Sequence, residues 1–157
     1  MNERAIRHEI VVNATPEQVW QAFTTVAGVK AFLCPDARIE ARVGGAYEIY
    51  FLVDAPAGSR GSEGCTILEL DPPRRLVFNW NFPPHLPAIR SEHTRVELTF
   101  TPAGWEGTRV SLLQSEWQAG PEWDAGFAYF ESAWAEVLHW LRQYFDSEVP
   151  DSKRGQT

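Results

Sequence analysis

The 157-residue chain is long enough for one domain with a sizeable core, and 44% hydrophobic with 13% aromatic residues is a globular composition, not a disordered one. A net charge of −7 without a basic cluster argues against nucleic acid or an anionic membrane as partner. No apolar run reaches the roughly 18 residues of a membrane span. The N-terminus lacks a charged-then-apolar leader, and two cysteines, Cys34 and Cys65, make neither a disulfide framework nor a zinc site. They read as free thiols in a reducing compartment, so the expected location is cytoplasmic.

In chain order, Ile6, His8, Ile10 and Val12 alternate with Arg7, Glu9, Val11 and Asn13, which reads as a first strand. Thr15 then stands as N-cap and Pro16 as N1 of a short helix carrying Val19, Trp20 and Phe23. A second helical piece over 26–33 contains Phe32 and ends before Pro35. Period-two segments follow. Residues 37–43 form one strand, Gly44-Gly45 a turn, and Tyr47, Ile49, Phe51 and Val53 the inner set of the next. A Gly/Pro loop covers 55–61. Strands are expected over 65–70, with Thr66 inward and Ile67 outward, and over 76–82, with Phe78 and Trp80 inward. The turn Asp71-Pro72-Pro73-Arg74 joins them. After a Pro-rich loop at 83–90, Thr94, Val96, Leu98 and Phe100 form the inner face of a sixth strand, and Thr108, Val110, Leu112 and Gln114 that of a seventh. Short connections between successive strands specify an antiparallel meander.

The last element is a helix over 121–145. Trp123, Phe127, Phe130, Trp134, Val137, Leu138, Leu141 and Phe145 recur three or four apart along one stripe. Gly120-Pro121, Glu122 and Asp124 mark its start, and His139 and Arg142 suit its other end. At roughly 37 Å it is the only element long enough to cover the concave face of the sheet. Its ring-rich stripe either fills a core or leaves slots between sheet and helix; Leu, Ile and Val are the usual gap-fillers. Residues 4–146 are read as a single domain and 147–157 as a flexible tail.

The chemistry the chain lacks is clear. Gly58-Ser59-Arg60-Gly61-Ser62-Glu63-Gly64 does not have the spacing of a nucleophile elbow. Metal-binding and dinucleotide motifs are missing, so neither metal nor cofactor is expected. His85, His93 and His139 read as surface or helix-end residues. His8 shares a face with Ile6 and Ile10: it is either a satisfied core or sheet-edge histidine, or a group facing a ligand. Gln114, Thr94 and Thr66, inward beside apolar neighbours, are either rim and core polar groups or the few polar contacts of an apolar pocket. Trp20, Phe23 and Phe32 either staple the short helices to the core or form the lid or end wall of a cavity, and Glu116-Trp117, at the approach to the long helix, is placed to close one end of it.

Several local signals together resemble a known group: Asn13-Ala14-Thr15-Pro16-Glu17-Gln18-Val19-Trp20, Gly44-Gly45-Ala46-Tyr47, Leu70-Asp71-Pro72-Pro73-Arg74-Arg75-Leu76-Val77-Phe78 and Gly107-Thr108-Arg109-Val110. With the element order, they resemble the START-like, or SRPBCC, helix-grip superfamily, in its branch related to the activator of the Hsp90 ATPase. The resemblance implies an α+β helix-grip fold: a curved antiparallel sheet of about seven strands around a long C-terminal helix, with two short helices after strand one. It also implies a cavity between sheet and helix for a hydrophobic small molecule. The cavity candidates are then His8, Trp20, Phe32, Phe51, Thr66, Phe78, Trp80, Val96, Leu98, Gln114, Trp123, Phe127, Phe130 and Trp134. The alternatives are a cyclase, dehydratase or hydrolase using His8 on an apolar substrate, and a chaperone-linked interaction module or homodimer presenting Val11, Tyr50, Leu52 and Ile67 on its convex side.

Overall fold

The computed structural model describes residues 4–147. The elements are β1 (Ile6–Val12), α1 (Pro16–Thr24), α2 (Val26–Phe32), β2 (Asp36–Ile39), β3 (Tyr47–Tyr50), β4 (Ile67–Asp71), β5 (Arg75–Trp80), β6 (Thr94–Pro102), β7 (Thr108–Ser115) and α3 (Pro121–Ser147). Five strands form an antiparallel sheet in the order β1-β7-β6-β5-β4, and β2 and β3 form a separate antiparallel pair. The pair is joined to the segment ahead of β4 by single bridges, Ala46 with Thr66 and Tyr50 with Gly61, and to β4 itself by Ile67 N–H donating to Gly45 O at 2.9 Å. The expected seven-stranded sheet is thus a five-stranded sheet extended by a two-stranded ladder. The tail expected over 147–157 lies outside the described residues except for Ser147, which closes α3.

Local chemistry explains the boundaries. Thr15 Oγ1 accepts from Gln18 N while Gln18 Oε1 accepts from Thr15 N, a reciprocal capping box ahead of Pro16. Thr25 caps α2 in turn, its hydroxyl accepting from Gly28 N at 2.9 Å. On β6 and β7 burial alternates residue by residue, as a half-covered strand requires. The inner rows run across the sheet as Ile6–Gln114–Val96–Phe78–Ile67 and His8–Leu112–Leu98–Leu76–Leu70. α3 lies over these rows with Trp123, Phe130, Trp134, Val137, Leu138, Leu141 and Phe145 buried and Phe127 half-buried. Each such side chain contributes on the order of 1.5–3 kcal/mol by leaving water.

Candidate functional site

α3 does not lie flat on the sheet. Its backbone comes closest to β1 and only brushes α2, while the space toward β5 is spanned by side chains. Rings do the spanning. Trp134 meets Trp80 at 5.3 Å between centroids and stacks with Phe130 at 6.3 Å. Phe130 reaches Phe82 at 5.7 Å, and Phe82 touches Trp123 and Trp117 edge-on at 5.0 and 5.8 Å. From Trp80 the series continues through Phe78 to Tyr47, at 5.3 and 4.4 Å. Such offset and edge-to-face pairs add about 0.5–1.5 kcal/mol each beyond area burial. The wedge under α3 is therefore lined and bridged by rings in mutual contact.

One polar relay crosses this apolar interior. The Trp134 indole donates to Gln114 Oε1 at 2.8 Å, Gln114 Nε2 donates to Thr94 Oγ1 at 2.8 Å, and the Thr94 hydroxyl donates to Trp80 O at 3.3 Å. Trp117 donates its indole N–H to Gln114 O at 3.0 Å, so the same residue anchors both tryptophans. Gln114 is fully buried and Thr94 nearly so.

The structure gathers most of the sequence candidates around this wedge. Phe78, Trp80, Val96, Leu98, Gln114, Trp123, Phe130 and Trp134 are all buried on the helix side of the sheet. Trp20 packs edge-on against Phe100 at 6.0 Å, at the α1 end. Phe32 is half-buried between Phe23, at 5.4 Å, and Tyr144 of α3, at 6.5 Å, forming the seam between α2 and α3. At the opposite end Phe127 sits under the Arg4 guanidinium, 4.8 Å from the ring centre, while Arg4 also pairs with Asp124 at 2.8 Å.

Three assignments need correction. Phe51 is 39% exposed, because β3 ends at Tyr50 and the chain turns out, Phe51 N and Leu52 N both bonding Arg60 O. Thr66 faces the outer side, its hydroxyl accepting from Asn79 Nδ2 at 3.2 Å, whereas Ile67, expected outside, is buried at 1% exposure. A register shift between Ile67 and Glu69 is the cause: it places Ile67 and Leu70 on the same face, so counting by twos back from Leu70 inverts the start of β4. His8 does lie on the inner row, but at the sheet edge. Its Nε2 is 2.9 Å from Glu131 O and 3.9 Å from Glu131 Oε2, which ties β1 to α3.

Two ring-bearing contacts escaped the sequence reading. Phe82 continues the inward count of Phe78 and Trp80 past the end of β5, so the same spacing would have found it. Gly126 carries no comparable signal: a Cβ there would stand 2.5 Å from the Phe82 ring, so a bare backbone is what lets helix and ring meet.

Titratable groups near the interior are held neutral. Burial pushes the Tyr47 phenol well above its usual range, and its hydroxyl donates to Phe23 O at 2.8 Å. Burial likewise pushes the Cys34 thiol up to about 11 and the Cys65 thiol to about 12. The Gly-rich loop before β4 is pinned. Burial of Glu63 works to raise its pKa, but N–H bonds from Arg60, Gly61 and Gly58 outweigh that and leave it lowered, and Arg90 pairs with it at 3.2 Å. Ser62 in that loop spends its hydroxyl on Ile49 N and Tyr47 O.

On the outer side of the sheet an open groove of about 340 Å³ lies among Arg7, Glu9, Glu97, Thr99, Ser111 and Leu113. Its acids are engaged, Glu97 by Arg75 at 2.6 Å and Glu9 by Arg109 at 3.1 Å. Among the described residues no cluster of His, Cys, Asp and Glu is placed to hold a metal ion, and no helix is long and apolar enough to cross a membrane.

Known proteins place this geometry in context. A protein from Mesorhizobium loti, MLL2253, superposes with a TM-score of 0.74 at 23% identity, covering 94% of this chain and 100% of that one. CalU16 from Micromonospora echinospora gives 0.68 at 20% identity, over 97% and 80%. The Aha1 dimer from Colwellia psychrerythraea gives 0.67 at 21%, over 90% and 96%. At these identities the likeness establishes the fold. No curated protein matches the chain. The family model described as activator of Hsp90 ATPase homolog 1-like protein matches residues 13–146, nearly the whole described domain, and the chain belongs to that family.

Proposed function

We propose that the chain binds an apolar, ring-bearing small molecule between the sheet and α3. The observation that carries this reading is the wedge itself: a helix whose backbone approaches β1 and whose contacts toward β5 are made by rings, Trp134 with Trp80 and Phe130 with Phe82, where branched aliphatic side chains would close a core most tightly. A flat guest replaces ring–ring contacts with equivalent ones, so admitting it costs less here than in an aliphatic core. Entry is at the seam of α2 and α3, where half-buried Phe32 and Tyr144 meet at 6.5 Å. Turnover through His8 has weaker support, because its Nε2 is engaged with the α3 backbone at the sheet edge.

Calorimetric titration with two- to four-ring aromatic and steroid-like compounds tests the proposal, alongside the melting temperature. The expected result is saturable heat with at least one compound, and about 2.7 kcal/mol of added stability at a hundredfold excess over Kd. If the whole panel gives neither heat nor a melting shift, the proposal fails.

A further inference from the structure

Resting on that reading, we propose that Gln114 selects guests carrying a neutral hydrogen-bond-accepting oxygen, such as an aromatic ketone, over the bare hydrocarbon of the same shape. The orientation of its amide is set by its neighbours. The Trp134 indole only donates, so the atom 2.8 Å from its Nε1 is Gln114 Oε1. The amide nitrogen is then the atom that meets Thr94 Oγ1 at 2.8 Å. The Thr94 hydroxyl donates its hydrogen bond to Trp80 O, so the relay runs in one direction and uses one of the two N–H groups on Gln114 Nε2.

The second N–H belongs to a fully buried side chain. Its cross-strand neighbours on the inner row are Ile6 and Val96, whose side chains offer no acceptor. A buried donor without an acceptor is unfavourable, and a site containing one discriminates strongly between a guest that supplies the acceptor and one that does not. A ketone oxygen beside Gln114 takes the second N–H and leaves the relay intact, whereas a hydrocarbon leaves that donor unpaired. The stacked rings of Phe130 and Trp134 supply faces for the planar remainder of the guest. A carboxylate is a poorer match, because one neutral donor does not offset the burial of an anion.

The test titrates 9-fluorenone and fluorene, a ketone and its parent hydrocarbon, against the wild-type chain, Gln114→Met, and Gln114→Met combined with Trp134→Phe. The double variant removes the indole donor together with its acceptor, so no polar orphan is left to unfold the core. Circular dichroism checks the fold of each. Wild type is expected to bind fluorenone about tenfold more tightly than fluorene, equivalent to about 1.4 kcal/mol, with the ratio falling to about one in both variants. Equal wild-type affinity for the two probes overturns the selectivity and leaves the binding reading standing. A preference that persists in the variants overturns the assignment to Gln114, and binding of neither probe overturns the selectivity while the binding reading stands or falls with the wider panel.

Discussion

Gly126 sits where the α3 backbone meets the Phe82 ring, and a single added methyl group tests how firmly that contact is set. Alanine gains about 1 kcal/mol of helix propensity over glycine. Against this, a Cβ 2.5 Å from a fully buried ring forces overpacking that costs about 1–3 kcal/mol. Gly126→Ala is therefore expected to lower stability by about 1 kcal/mol, read as a lower urea midpoint at unchanged slope. A rise would mean that the Phe82 ring turns aside freely. Buried thiols make a second residue-scale prediction. Cys34 and Cys65 titrate above their ordinary 9.0, at about 11 and about 12, because burial disfavours the thiolate. Their contribution to stability is complete below the unfolded pKa and is lost as pH rises from about 9 toward 12. Both thiols should resist a thiol reagent at pH 8 until denaturant is added. Rapid labelling of the native chain would contradict the burial. Gln114, by contrast, was legible from strand parity alone, although its bonds to Trp134 and Thr94 were not, since sequence spacing is silent on what faces a residue across the wedge.

At the element scale, the pieces with strong local chemistry were the readable ones. The α1 start is written in Thr15 and Pro16, and the structure adds Gln18, whose side chain completes a reciprocal cap with Thr15. Thr15→Ala should cost about 1 kcal/mol, seen in the thermal or urea midpoint, because it leaves a helix donor without its partner. An unchanged midpoint would mean that water substitutes for the cap. The stripe of α3 was equally readable, since a helical period repeated over many residues survives a local irregularity. β4 was not. One register shift between Ile67 and Glu69 inverted the faces of Thr66 and Ile67, and period-two counting has no means to detect an extra residue. Phe51 was misplaced for a related reason: its alternation with Tyr47 and Ile49 continues in sequence after the ladder has ended at Tyr50.

For the whole molecule, the two faces of the sheet are maintained by different physics. The outer face is a lattice of Arg75, Arg95, Glu69 and Glu97, in which Arg75 lies 2.6 Å from Glu97 and 3.4 Å from Glu69, above the fully covered Val77. Exposed pairs of this kind contribute little individually, about 0–1 kcal/mol. The inner face is held by burial of rings against α3, and it places Trp20, Trp80, Trp117, Trp123 and Trp134 out of water. Trp140 is partly shielded at 38% exposure, whereas Trp105, on the β6–β7 turn, stands 92% exposed. That unequal distribution gives the molecule a divided optical signature. Iodide should extinguish the red-edge emission of Trp105 first and reach Trp140 less, while sparing the blue-shifted interior light, and Trp105→Phe should remove most of the quenchable fraction without moving the melting temperature. With that one lamp removed, most of the remaining glow comes from buried indoles, and Trp80, Trp117, Trp123 and Trp134 among them report on the wedge under α3.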